Sequence, residues 1–257
     1  MILEESMSSN VLTMVQIAKP SIKDVFRGFL EVESKRLAPK TLQKYEIVIG
    51  LLTDHLNNNG SEPLSTAEKA FFEKYYNAEG EAHRDYCDIF GPEKIFHTLG
   101  SFFGYYMIRK VFAGEELKRA SGTVVKKLSK YLAENGLITP ETATEGIEEG
   151  AVAVSVLPLA EKASRILGDY VDDRGLCPND FEDHENYMEF DHFTISKLAP
   201  GQIWFELYDE GKLKEFGPIS VPKSATKILQ EGWDISCGFG RSKGQWNMIE
   251  IANVYPN

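Results

Sequence analysis

Apolar residues change their spacing two-thirds of the way along this 257-residue chain, and that change limits its fold more than any motif does. Up to Val171 they recur at intervals of three and four, the period of helices buried on one face. From Phe193 they alternate in short runs separated by turn residues, as antiparallel strands do. Each kind of layer must bury its own apolar face, so helices followed by strands predict an α+β chain. At about 100–200 residues per domain, this length suits one large or two small domains.

In the first part, Ile22, Val25, Phe26, Phe29 and Leu30 share a helix face behind Ser21 as N-cap. Leu37-Ala38-Pro39 ends that helix and opens the next, with a stripe of Leu42, Tyr45, Ile49, Leu52 and Leu56 that stops at Asn57-Asn58-Asn59-Gly60. Ser65-x-x-Glu68 is a capping-box pattern before Phe71, Phe72, Tyr75 and Tyr76. After a polar stretch to Gly91, Pro92 opens a predicted helix bearing Ile95, Phe96, Leu99, Phe102, Phe103, Tyr106 and Met107. Gly100 and Gly104 are suited to close helix packing there. A further helix carries Leu117, Val124, Leu128 and Leu132. Thr139-Pro140 is a turn or helix start, and a last helix runs from Leu157 to Val171 with Pro158 near its beginning.

Residues 176–192 read as acidic and irregular. Strands follow at Phe193–Leu198, Ile203–Tyr208, Glu215–Val221, Trp233–Phe239 and Trp246–Val254, with Ser224–Gln230 as a short helix. Turns fall at Pro200-Gly201 and Glu210-Gly211, and Gly238–Gly244 reads as a hairpin loop. Five strands in so short a stretch predict a small β-barrel or rolled sheet. The expected division is an extension at 1–20, an all-helical unit at 21–173, an acidic linker at 174–192 and a β-rich unit at 193–257.

Charge divides along the same line. The net charge of −11 excludes a uniformly basic coat. Residues 21–140 hold 17 basic and 16 acidic side chains, whereas residues 141–257 hold 10 and 21. The most basic window contains Arg109, Lys110, Lys118, Arg119, Lys126, Lys127 and Lys130 against Glu115 and Glu116. Such a row suits phosphate contact without base reading, or else forms an ordinary solvated helix face. Cys87, Cys177 and Cys237 lack disulfide or zinc spacing and read as buried thiols in a reducing compartment. The N-terminus lacks a signal-peptide pattern, and the longest apolar run, Ala151–Ala160, falls short of the ~20 residues that cross a bilayer. A cytoplasmic protein with no membrane partner is expected.

Catalytic and metal motifs are absent from the sequence: no G-x-S-x-G, H-E-x-x-H or Walker pattern occurs. Gly238-x-Gly240 lacks the third glycine and the helix of a dinucleotide fingerprint. The run Asp180, Glu182, Asp183, His184, Glu185, Glu189, Asp191, His192 offers metal ligands, yet Glu185 stands where a calcium loop needs glycine. It reads as a solvated linker. Phe102, Phe103, Tyr105 and Tyr106 read as core in preference to base-stacking residues. Serine, histidine and aspartate are present, but spacing does not bring them together. No metal or cofactor is expected.

Three stretches belong together: Val25-Phe26-Arg27-Gly28-Phe29-Leu30; Leu37-Ala38-Pro39-Lys40-Thr41-Leu42-Gln43-Lys44-Tyr45 with the helix to Gly60; and Lys130-Tyr131-Leu132-Ala133-Glu134-Asn135-Gly136. Through them, residues 20–138 resemble the SAM-like core-binding domain at the N-terminus of tyrosine recombinases and phage integrases. The resemblance implies a helical bundle that straddles duplex DNA, with Lys40, Thr41 and Lys44 facing the duplex and Lys126, Lys127 and Lys130 on the last helix. Ser61–Gly91 departs from the pattern as an apparent insertion. No histidine is followed three residues later by arginine, so the recombinase catalytic half is not visible; Tyr255 alone does not supply it. The expectation is a non-catalytic DNA-binding protein, with a protein partner for the acidic part. The alternatives are a protein-interaction or regulatory protein, and a metal-dependent enzyme using the 180–192 carboxylates.

Overall fold

The computed structural model describes residues 16–109, 111, 114–176, 178–181, 186–209 and 211–256. Lys110, Cys177, Glu182, Asp183, His184, Glu185 and Glu210, and most of the N-terminal extension, lie outside the described residues.

Local chemistry starts the first helices. At α1 (Ile22–Ser34) the Asp24 N–H donates to the Ser21 hydroxyl, and the Ser21 N–H donates to the Asp24 carboxylate. α2 (Pro39–Asn59) opens on Pro39, where a missing N–H costs nothing. Its buried face, Tyr45, Val48, Ile49, Leu52 and Leu56, meets Phe29 of α1, whose ring stacks on Tyr45 at 6.0 Å. A second reciprocal cap, Ser65 with Glu68, opens α3 (Thr66–Tyr76). The segment Ser61–Gly91, expected as an insertion, is woven into this core: Leu64, Phe72, Phe90 and the Tyr86, Cys87 and Ile89 side chains of α4 (Tyr86–Ile89) are buried.

The helix expected from Pro92 is broken into a 3-10 stretch (Pro92–Thr98), α5 (Leu99–Ser101), a π-helical turn (Phe102–Tyr106) and α6 (Met107–Arg109). The wide turn buries both adjacent phenylalanines, Phe102 and Phe103, in a segment already weakened by glycines. Gly100 and Gly104 bring no helices together, since a Cβ on either would meet open space. The close approach is made by Gly122 on α7 (Glu115–Glu134) and Gly150 on α8 (Pro140–Arg174). A Cβ on Gly122 would lie 2.4 Å from the Gly150 carbonyl oxygen, and one on Gly150 would lie 2.7 Å from that of Gly122.

α8 is 35 residues long, and it begins at Pro140, well before the expected Leu157. Thr139 caps it and Pro158 lies inside it, removing one backbone N–H from the ladder. Packing on both sides holds this interruption in place. Ala153 and Leu157 belong to the helical core; Ala160, Ala163, Leu167 and Val171 belong to the core under the sheet. One helix therefore serves both cores and passes between them at Pro158.

Five antiparallel strands make the sheet: β1 (Tyr187–Ala199), β2 (Gln202–Asp209), β3 (Lys212–Ser220), β4 (Asp234–Ser242) and β5 (Gln245–Tyr255), ordered β3-β2-β1-β4-β5. β1 begins within the stretch expected to be irregular. A single turn, α9 (Lys223–Thr226), replaces the longer helix expected there. Lys243 and Gly244 (φ 52° and 79°) form a two-residue turn of the hand that matches strand twist. The glycines expected in a loop instead lie in β4. A Cβ on Gly240 would sit 2.5 Å from the Phe181 ring, so that glycine admits Phe181 against the strand.

The sheet is not closed into the expected barrel. Its edges β3 and β5 approach through side chains, as where Phe216 meets Trp246 at 5.5 Å, without a shared ladder. α8 covers the apolar face of the sheet, which removes the need for closure. The last strand also reaches across: Tyr255 is buried in the helical core, and the Val254 N–H donates to Ser164 Oγ on α8 at 2.9 Å. Among the described residues no helix is long and apolar enough to cross a membrane.

Candidate nucleic-acid interface and neighbouring pockets

α7 sorts its basic side chains by face. Gly122, Val125, Ser129 and Leu132 are buried, while Arg119, Lys127 and Lys130 are exposed and Lys126 is half-buried with its stem against Gly150. Arg119 to Lys130 spans about 16 Å along a helix axis. Among the described residues no acid lies within ion-pair distance of Arg119, Lys126, Lys127, Lys130 or Lys40. Lys44 and Lys40, from the first turns of α2, flank Glu116 at the start of α7. Lys44 pairs directly with Glu116, and this hydrogen bond holds the Glu116 carboxyl below the usual carboxylate range. Thr41 is exposed in the first turn of α2.

Two of the expected phosphate ligands are placed elsewhere. Lys118 is turned inward, its side chain only 3% exposed, and pairs with Glu161 of α8. A cation so buried is a strut between helices. Arg109 stacks over Tyr105, 5.5 Å from its ring centroid, and lines a hollow of about 300 Å³ with His192, Ser236 and Tyr255. It belongs to the seam between helices and sheet.

That hollow holds a serine–histidine contact that no sequence spacing revealed. Ser236 Oγ lies 3.0 Å from His192 Nε2. Asp191 is 3.9 Å from Nδ1, is 78% exposed and accepts the His192 backbone N–H at 2.8 Å. The imidazole thus lacks the hydrogen-bonded carboxylate that orients a catalytic base. His192 and Ser236 face each other across β1 and β4 as a cross-strand pair.

A second contact joins α2 to the π-helical turn. His55, buried on α2, places Nε2 3.3 Å from the Thr98 carbonyl oxygen and 3.2 Å from Ser101 Oγ. A carbonyl only accepts, so Nε2 carries the proton and Nδ1 accepts from Asn59 Nδ2 at 3.2 Å. Ser101 then has no base in His55; its hydroxyl donates to the same carbonyl at 3.0 Å. Burial lowers the His55 pKa and keeps the ring neutral. The sequence clue was a lone histidine within the apolar stripe of α2, followed by the three asparagines Asn57, Asn58 and Asn59.

The π-helical turn and the residue pair before it divide two hollows. Ser101, Tyr105 and Tyr106 face one of about 460 Å³ with α2; Gly100, Phe103 and Gly104 face an apolar one of about 750 Å³ with α8 and Trp233. Among the described residues no group of three or more histidine, cysteine, aspartate or glutamate side chains is placed to hold a metal. Cys87 and Cys237 are free and buried, and burial pushes both thiols well above their ordinary range. No protein-family model matches the chain, and no curated protein matches it.

Proposed function

We propose that the chain is a non-catalytic DNA-binding protein related to recombinase core-binding domains, which lays the outer face of α7 along the phosphate backbone. The observation that carries this reading is the row Arg119, Lys127 and Lys130, exposed and without an acid in ion-pair range among the described residues. Its length of about 16 Å exceeds the roughly 12 Å width of a major groove, so its ends can meet phosphates on opposite walls. The acidic flank of α8, with Glu141, Glu145, Glu148 and Glu149 exposed, repels phosphate and limits docking to one orientation.

Fluorescence anisotropy with a random duplex of about 30 base pairs tests this, because phosphate contacts release counterions and weaken with salt by a log–log slope of about −0.9 each. Three to four contacts give a slope of about −3. Arg119→Glu/Lys127→Glu/Lys130→Glu should abolish binding. No binding of the parent at low salt, or binding that this variant retains, overturns the proposal.

A second reading concerns the sheet. Tyr208 and Leu213 pair across the β2–β3 hairpin and are 77% and 54% exposed. Two large apolar side chains at one hairpin tip suit a protein partner. Tyr208→Ser/Leu213→Ser should weaken such a complex while leaving DNA binding unchanged, as read by pull-down and anisotropy.

A further inference from the structure

The hollow between α2 and the π-helical turn is rich in acceptors. Asn58 spends its amide N–H on the Asp54 carbonyl at 2.7 Å, and Asn59 spends its own on the His55 carbonyl at 3.1 Å and on the ring. Among the described residues both side-chain carbonyl oxygens are left without a donor. Ser101 donates to Thr98 and, beyond its contact with His55 Nε2, keeps one lone pair. Glu62 brings a carboxylate with no ion-pair partner among the described residues, and His55 is neutral and adds no cation. Tyr105 and Tyr106 complete the wall. The Tyr105 ring already serves a cation, since Arg109 lies over it.

An anion entering here meets Glu62, and an apolar molecule strands the acceptors without hydrogen bonds. A cation with several N–H donors satisfies them all. We infer that this hollow binds a small organic amine, its ammonium group held between the Glu62 carboxylate, the asparagine carbonyls and the rings of Tyr105 and Tyr106. The volume of about 460 Å³ accepts an aliphatic diamine along its length.

Isothermal titration of the full chain with putrescine, in the absence of DNA, tests the inference, with succinate as the anionic control. A chain of charge −11 attracts any polyamine loosely, so Glu148→Gln/Glu149→Gln, outside the hollow, reports that background. The expected result is one saturable site, weakened about tenfold or more by Glu62→Gln and by Tyr105→Ala, insensitive to the α8 pair and blind to succinate. Lys127→Glu/Lys130→Glu should leave it unchanged, which separates its outcome from that of the DNA proposal. Absence of saturable binding up to about 10 mM, or binding that Glu62→Gln or Tyr105→Ala leaves intact, overturns the inference.

Discussion

Before Pro158, the buried face of α8 packs on helices; after it, that face turns to the sheet, while Glu161 and Arg165 still reach α7 through ion pairs. The first half presents Gly150, so that backbone touches backbone across Gly122, and Gly146, which admits the Phe96 and Ser129 side chains. The second half presents Ala163, Leu167 and Val171 to aromatic side chains from the strands. Backbone contact leaves nothing that can rotate aside. A helix on a sheet is spaced by side chains, which lose energy when trimmed but seldom force the layers apart.

The largest effect should come from the side-chain-packed half. Phe239 touches Phe193, Phe205 and Phe216, so Phe239→Ala should cost about 4 kcal/mol in urea denaturation. All three tryptophans, Trp204, Trp233 and Trp246, lie in the strand region, whereas far-ultraviolet dichroism reports mainly helix. If α8 couples the cores, the two signals move together; separate midpoints would show independent halves.

At the helix–helix seam, Glu161→Gln leaves Lys118 buried without its counter-charge and should cost about 3 kcal/mol. Lys118→Met/Glu161→Leu should recover most of that loss, measured in the same denaturation series. Gly122→Ala should cost about 2 kcal/mol, although alanine favours an isolated helix by about 1 kcal/mol, because its Cβ strikes the Gly150 carbonyl. A stabilised Gly122→Ala would erase the contrast between the two halves of α8.

Smaller effects sharpen the picture away from α8. Glu68 is held at a pKa of about 2, first by its hydrogen bond from Lys94 and also by those from Ser65. Its folded value lies below its ordinary 4.5, so its contribution is complete above that pH and disappears as pH falls toward 2. Glu68→Gln should lose about 1 kcal/mol at pH 7 and converge with the parent across that window. Tyr86 is fully buried and its hydroxyl has no partner among the described residues. Tyr86→Phe should be neutral or stabilising by up to about 1 kcal/mol by thermal melting.

Features set by neighbouring residues were legible in the sequence. Ser21 as an N-cap, Ser65 with Glu68, and Pro39 each act within one turn, and the strand alternation persists wherever one face is buried. Features set by distant partners were not. Lys118 looks like its neighbours until Glu161 arrives across the seam, and Gly122 looks like a weak point in a helix until Gly150 meets it. Pro158 suggests a helix start, and only the two cores around it explain a helix running through. The row Arg119, Lys127, Lys130 was visible as a basic window; which of its members face solvent depended on α8. His55 carries no such signal, because a buried histidine in an apolar stripe looks the same whether or not a hollow opens beside it.

Tyr255 in the helical core also sets an order of events during synthesis. Translation adds about 5–20 residues per second, so the interval between completing α7 and making Tyr255 is roughly 6–24 s. Throughout that interval the earliest helices wait with one wall of their interior missing. The half of the protein that emerges first is thereby completed last, and a nascent chain stalled before β5 would offer chaperones the unfinished side of the helical core.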